Sequence, residues 1–155
     1  MIDFTELSAA ITDFQKEVEI DVSTIQRKIA MELLRGVVMN TPSDTGRARG
    51  NWQISTGAPI TTTLGSKDKN GGGTVSKGQK KINEAKPYGI IWLTNNLSYI
   101  SVLEFGEFIP TDPGPSKDKR KGRKGEILVR DGYSVQAPRG MVRLTLERIT
   151  QSLKL

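Results

Sequence analysis

The sequence predicts an α+β domain with a long N-terminal helix, short β-strands in the middle of the chain and a C-terminal helix. Three observations predict it: helical spacing of apolar residues near both ends, two short β-rich segments between them, and turn residues around those segments. The chain has 155 residues, about the length of one domain. We therefore expect one domain, residues 1–155, with a helical region at 1–40 and an α+β core with two long basic loops at 41–155.

The helical region shows apolar residues three or four positions apart, which places them on one face. A slip in this spacing near residue 20, among β-branched side chains, predicts a kink or two helices. Thr41-Pro42 ends the region, because proline disfavours helix at the residue before it. Since the apolar face is long for a small domain, it packs either on its own core or partly on a neighbouring subunit. Its members are Phe4, Leu7, Ile11, Phe14, Val18, Val22, Ile25, Ile29, Leu33 and Val37.

The middle of the chain alternates between turn residues and short β-rich or helical segments. Polar and apolar residues alternate over 51–56, as in a half-buried strand, and 88–94 is apolar as in a buried strand. Glycine commonly closes a helix, and Gly106 follows an apolar stretch. The remaining predictions are an extension or pairing of the first strand over 59–64, a short helix over 97–105, a short strand over 126–130 and a final amphipathic helix over 138–153.

Two stretches rich in lysine, glycine or proline, residues 66–86 and 107–130, are predicted to be long loops. The second contains SKDKRKGRKG, with six basic residues and one acidic residue. Loops of this length in a compact domain are usually disordered, or they are ordered by something outside the subunit. We expect both to contact neighbouring subunits, through Lys80, Lys81, Lys117, Lys119, Arg120, Lys121, Arg123 and Lys124.

The composition excludes most of the common catalytic groups, because the chain has no histidine and no cysteine. It cannot form a Ser-His-Asp triad, a thiolate zinc site or a disulfide. The glycine run 71–73 is not followed by the Lys-Ser/Thr of a phosphate-binding loop. We expect a non-enzymatic protein with no metal and no cofactor. The acidic, amphipathic N-terminus and the lack of a long apolar run predict an intracellular product that does not enter a membrane.

The charge is uneven along the chain, which carries a net +6. Residues 1–40 hold seven acidic and four basic residues, a net −3, so the remainder carries +9. A basic surface suits an acidic partner, either nucleic acid or an acidic protein face. The basic run at 117–124 lacks base-stacking aromatic residues, and no DNA-binding motif flanks it. Charge alone leaves both partners open.

Three short stretches lie where predicted elements begin or end: NTPSDTGRARGNW (40–52), YISVLEFG (99–106) and QAPRGMV (136–142). We expect Asp44 to accept hydrogen bonds from the turn, Gly46 to adopt a left-handed conformation and Trp52 to fill the core. Glu104, poorly placed at a helix C-terminus, should pair with Arg47 or Arg49. The residues singled out are Asp44, Gly46, Arg47, Trp52, Tyr99, Glu104, Gly106, Gln136 and Pro138.

In their order along the chain, these stretches resemble the neck and tail-completion proteins of tailed bacteriophages, also described as head–tail joining or minor tail proteins. The resemblance spans residues 25–150, and the two basic loops are longer than its common pattern. It implies an α+β subunit whose long N-terminal helix and C-terminal helix pack on a small curved antiparallel β-sheet. It also implies a closed ring of six or twelve copies within the virion neck, assembled in the host cytoplasm. The ring would contact head-closure or connector proteins and tail-terminator or tail-tube proteins.

The resemblance implies that DNA passes through the ring without sequence-specific contact. The expected function is therefore a structural virion protein that joins the head to the tail. The alternative is a small basic accessory protein that binds DNA non-specifically through its lysine-rich and arginine-rich loops.

Overall fold

The computed structural model describes residues 4–106, 129–130, 133–134 and 139–153, with side chains described over 8–106 and 139–153. It has the predicted α+β class, with a long first helix, a last helix and a small antiparallel sheet. The elements are α1 (Phe4–Asn40), α2 (Arg47–Gly50), β1 (Gln53–Thr56), α3 (Gly72–Asn83), β2 (Ile91–Thr94), α4 (Ile100–Phe105), β3 (Val129–Arg130), β4 (Tyr133–Ser134) and α5 (Val142–Leu153).

Helix α1 runs as a single helix over 37 residues, so the expectation of two helices is wrong. The hydroxyl groups of Ser23 and Thr24 donate to the carbonyl of Ile20, at 3.0 and 2.8 Å, within the helix. These side chains bond to the preceding turn, and the helix continues through them. The helix ends at Asn40, two residues before Pro42, as predicted.

The described sheet pairs β1 with β2 in antiparallel register, with Gln53 opposite Thr94 and Thr56 opposite Ile91. The segment over 59–64 is neither strand nor helix. Hydrogen bonds from side chains, and not strand pairing, fix this segment. Asn51 Oδ1 accepts from the amide of Leu64 at 2.7 Å, and Asn96 Nδ2 donates to the carbonyl of Ile60 at 2.9 Å. The alternative that it extends or pairs with β1 is therefore wrong.

The stretch 66–86, predicted to be a loop, contains the twelve-residue helix α3, and this expectation is wrong. Asp68 organises its start. The carboxylate accepts from the amide of Gly71 at 2.8 Å, the amide of Thr74 at 2.7 Å and the Thr74 hydroxyl at 2.8 Å. Since the first amides of a helix lack partners within it, these bonds stabilise the N-terminus of α3.

The core lies around the C-terminal half of α1, against α3, α5, the β1–β2 sheet and the segment from 97 to 103. Helix α5 crosses α1 at Gly36, where an added Cβ would lie 2.3 Å from Thr145 Cγ2. The Asn40 side chain donates to the Thr145 hydroxyl at 3.1 Å beside this crossing. The buried core includes Leu34, Val37, Val38, Trp52, Ile54, Ile82, Leu97, Leu103 and Met141.

A second antiparallel pair joins β3 and β4, with Val129 opposite Ser134 and Arg130 opposite Tyr133. Only Val129 and Arg130 of the predicted strand over 126–130 fall within the described residues. The rest of the predicted loop over 107–130 lies outside them. The final helix, expected over 138–153, begins at Val142.

Candidate assembly interface

The first stretch, residues 40–52, forms a tight corner between α1 and β1. Gly46 has φ +82°, the left-handed conformation expected of it, and an added Cβ would lie 2.5 Å from the Lys69 amide nitrogen. Trp52 is buried as expected, and its indole N–H donates to Thr41 Oγ1 at 2.7 Å. The Thr41 hydroxyl donates in turn to the carbonyl of Val37. This chain of bonds fastens the end of α1 to the start of β1.

The charged residues of this corner act differently from one another. Arg49 Nη2 donates to the carbonyls of Thr41 and Met39, at 2.8 and 3.3 Å, which complements the negative C-terminal end of α1. Arg47 and Asp44 are exposed. Asp44 was expected to accept a hydrogen bond from a backbone amide of this turn. Among the described residues Thr45 does so instead, because its hydroxyl accepts from the Arg47 amide at 3.3 Å. The role predicted for the Asp44 carboxylate is wrong.

The second and third stretches meet through Glu104, which is buried. Its carboxylate accepts from the amides of Met141, Val142 and Arg143 at 2.6, 2.8 and 3.0 Å. It also lies 3.4 Å from Arg143 Nε. The expected pairing with Arg47 or Arg49 is wrong, because the amides and partial positive charge at the N-terminus of α5 attract the carboxylate instead.

Gly140 belongs to the third stretch, and its small size permits this junction. It has φ +76°, and an added Cβ would lie 2.5 Å from the backbone oxygen of Glu104. Arg143 Nη2 donates to that same oxygen at 2.6 Å, and its guanidinium lies 5.5 Å from the centre of the Phe105 ring. The junction therefore fixes α4 to the start of α5 through backbone and side-chain contacts together.

The remaining residues of these stretches have more local positions. Tyr99 precedes α4, is partly exposed and accepts a backbone bond from Leu103 at 3.3 Å. Gly106 ends α4 with φ +76°, and its amide donates to the carbonyl of Val102 at 2.9 Å, as a C-terminal glycine was expected to do. Gln136 and Pro138 lie outside the described residues.

Of the basic residues expected to contact neighbours, the described ones lie on the exposed side of α3. Lys80 is exposed, and Lys81 pairs with Glu84 at 2.8 Å. Lys77 lies on the same exposed side. The other basic residues of this set lie outside the described part of the chain: Lys117, Lys119, Arg120, Lys121, Arg123 and Lys124.

The N-terminal arm, which we define as residues 8–21 of α1, has little contact with the rest of the subunit. Every residue of the arm except the half-buried Val18 is exposed. The apolar side chains of Ile11 and Phe14 are 50% and 66% exposed. The interpretation that α1 packs on its own core therefore applies to its C-terminal half and not to the arm.

Comparison with known proteins gives no relative: no family model, curated protein or solved structure matches the chain. Over the described ranges, no helix is both long and apolar enough to cross a membrane. The same residues contain no group of three or more carboxylates that could hold a metal ion.

Proposed function

We propose that this chain is a structural subunit of a tailed-phage neck, which assembles as a closed ring between the head connector and the tail. The resemblance of residues 25–150 to tail-completion proteins motivates the proposal. Within the structure, the proposal is supported mainly by the arm. Ile11 and Phe14 are exposed there on a long helix, and such a surface is suited to contact with a neighbouring subunit.

The buried contacts of the three stretches support the same proposal. Trp52 and Glu104 use their polar groups within the subunit, on Thr41 and on the α5 amides, so neither offers a group that could act on a substrate. These stretches stabilise the corners of a rigid subunit. A rotationally repeated contact between rigid subunits closes into a ring when the rotation is a whole fraction of a turn.

The oligomeric state of the purified full-length chain tests the proposal. We expect native mass spectrometry and sedimentation velocity to give one discrete species of six or twelve copies. Negative-stain electron microscopy should show a ring with a central channel. A single-copy species at every concentration from micromolar to millimolar would overturn the proposal.

The DNA-binding alternative has its own signature in the same preparation. The exposed lysines of α3 would neutralise phosphates, so binding of labelled duplex DNA would weaken steeply with salt. Each phosphate contact removed lowers the salt slope by about one. The alternative would be favoured over the ring if a single-copy species bound duplex DNA tightly. The Lys77→Ala, Lys80→Ala double variant should then show a smaller dependence of binding on salt.

A further inference from the structure

Helix α1 carries one apolar stripe that continues from the arm into the packed half of the helix. Ile11, Phe14 and Val18 follow one another at spacings of three and four residues. Val22 and Ile25 continue the stripe at similar spacings. At 100° per residue, these five side chains fall within a narrow sector of the helix surface. The stripe therefore passes from an uncovered segment into a partly covered one without changing face, so the slip in spacing predicted near residue 20 is wrong.

The covered segment forms one wall of an apolar groove of about 500 Å³. Its α1 wall includes Ile25, Ile29 and Leu33, and the sheet supplies Ile54, Ile91 and Leu93 opposite. Ile25 is 56% exposed at this groove, so water reaches apolar side chains there. An open groove with these walls exposes surface that another apolar element could cover.

The lining of the groove favours a protein occupant over a small polar ligand. No charged side chain lines it within the described residues, and its polar lining groups belong to Gln26 and Tyr88. The Gln26 amide already donates to the carbonyl of Gly89. Small-molecule pockets usually add convergent polar groups that orient the ligand. An apolar helix face needs no such groups.

Tyr88 holds an unusual position at the groove. Its φ is +58°, in the left-handed region that side chains other than glycine rarely adopt, and its side chain is 64% exposed. The segment around it is fastened to α1 by Gln26 and by Arg27, whose Nη2 donates to the carbonyl of Ala85 at 2.9 Å. Strained backbone of this kind often marks a functional surface. Here it adds an aromatic side chain to the groove lining.

The arm has the length to occupy such a groove in another copy, and its net charge is opposite to that of the rest of a second copy. Ile11 to Val18 spans about 10 Å of helix, and the groove wall from Val22 to Leu33 spans about 16 Å. Residues 8–21 contain four acidic residues and one basic residue, a net −3, so the rest of the chain carries +9. An acidic arm is therefore complementary in charge to the remainder of a second copy.

The arm cannot occupy the groove of its own chain. Both lie on the same continuous helix, and Phe14 is about 16 Å along the axis from Ile25. A continuous helix cannot fold back on itself, so two successive segments of one of its faces cannot contact each other. An arm that covers the groove must therefore come from another molecule.

We infer that the arm of one copy binds in the apolar groove of the next copy, with Ile11, Phe14 and Val18 against the sheet and α1. This contact deepens the proposed ring and rests on it, because it supplies the head-to-tail interface that a ring repeats. It joins unlike surfaces of two copies, the arm of one and the groove of the other.

Two matched single substitutions test the contact through assembly. Phe14→Glu places a charge on the stripe, and Ala9→Glu places the same charge on the far side of the arm. Both positions are exposed, so the circular dichroism spectra of both variants should show the helix content of the wild type. We expect Phe14→Glu to weaken assembly at least tenfold in sedimentation and Ala9→Glu to leave it unchanged. Equal assembly of Phe14→Glu and the wild type would overturn the inference.

Cross-linking tests which surfaces meet, and the absence of cysteine from the chain gives it a clean background. Copies with Phe14→Cys are mixed with differently tagged copies carrying Ile25→Cys and treated with a short bis-maleimide. We expect a mixed, doubly tagged product. The matched pair of Lys16→Cys with Ile25→Cys should give at least tenfold less. Equal yields from both pairs would overturn the inference.

The outcomes separate this contact from the ring itself. A ring that forms without selective Phe14–Ile25 cross-links keeps the proposed function and overturns the arm contact. Selective cross-links in a closed two-copy species keep the arm contact and overturn the ring. A single-copy species without selective cross-links overturns both the ring and the arm contact. This outcome includes the case in which an unrelated protein covers the groove.

Discussion

Glu104 shows how one carboxylate can join two distant parts of a chain. It lies in α4, yet its three backbone donors belong to the beginning of α5, 37 to 39 residues later. Charge-assisted bonds of this kind are stronger than neutral ones, and a buried carboxylate without them would be costly. The side chain therefore stabilises the subunit, and its charge is already used within the fold.

We expect Glu104→Gln to destabilise the subunit by about 2 to 3 kcal/mol, because an amide nitrogen would then face backbone donors. Glu147→Gln on the exposed side of α5 is the matched control and should change stability by less than about 0.5 kcal/mol. Urea unfolding followed by circular dichroism measures both. Equal stability of the two variants would show that the junction does not depend on the carboxylate.

Asp68 is the second residue whose charge stabilises local structure. Partial burial raises the pKa of its carboxyl, but hydrogen bonds from Thr74 and Gly71 outweigh this, so the pKa lies below its usual value. A carboxyl with a lowered pKa in the folded state stabilises the fold above its unfolded pKa of about 3.9. That contribution is lost as the pH falls through the lower folded pKa.

We expect wild type to be more stable than Asp68→Asn at pH 7 by about 1 kcal/mol, a typical value for a lost helix cap. The gap should shrink as the pH falls below about 4. Urea unfolding at several pH values, with Asp44→Asn as an exposed control, measures it. A gap that stays constant down to pH 2 would contradict this account of the cap.

At the scale of elements, α3 depends on small residues at close contacts. Gly78 faces α1 and the sheet, where an added Cβ would lie 2.4 Å from Leu34 Cδ2 and 3.1 Å from Ile54 Cγ1. Gly72, at the first turn of the same helix, has nothing within 4 Å of the corresponding point. The two glycines therefore differ in what a methyl group would meet.

We expect Gly78→Ala to lower the free energy of unfolding by about 1 to 3 kcal/mol, because the core must shift to accept the methyl group. Gly72→Ala should leave it unchanged or raise it by up to about 1 kcal/mol, since alanine favours helix. Thermal and urea unfolding of the pair measure the difference. Similar stability of the two variants would contradict the close packing of α3 on α1.

The elements also show how far sequence reasoning reaches. Helices α1 and α5 and strand β1 follow from periodic apolar residues. Strand β2 follows from an apolar run, but the expectation that it is buried is wrong, because its four residues are only half-buried. Helix α3 was missed because its glycines suggested a flexible loop, although Thr74, Gly78 and Ile82 are small or apolar at helical spacing. Its cap at Asp68 and its close contact at Gly78 depend on packing that local propensity does not encode.

The candidate site was predicted less completely than the fold. Gly46, Gly106 and Trp52 follow from local turn chemistry and size, so their positions could be anticipated. The partner of Glu104 could not, because it lies in a helix distant in sequence and depends on how α4 meets α5. The apolar groove also joins separate elements, and only the α1 side of it is visible as a pattern in the sequence.

At the scale of the whole molecule, the two halves of α1 differ in how much surface they bury. The buried core uses its C-terminal half, from Leu34 to Val38, whereas every residue of the arm except the half-buried Val18 is exposed. An element that contributes little to its own fold but exposes Phe14 is suited to binding between copies.

We expect deletion of residues 1–19 to leave a folded subunit with a melting temperature within about 4 °C of the full chain, a shift equivalent to about 1 kcal/mol. The same deletion should abolish assembly, which native mass spectrometry measures. The Ala9→Glu chain is the control for changes near the N-terminus that spare the stripe. Intact assembly of the shortened chain would show that other surfaces hold the copies together.

The unbroken course of α1 has a geometric consequence. Each residue inserted between the Gly36 crossing and the arm would lengthen the rod by 1.5 Å and turn its far end by 100°. The angle between successive copies would then be set by the count of residues along one helix. We expect one added residue to prevent ring closure, because the arm would then point in a different direction. Adding a whole number of helical turns would keep the direction of the arm and enlarge the ring.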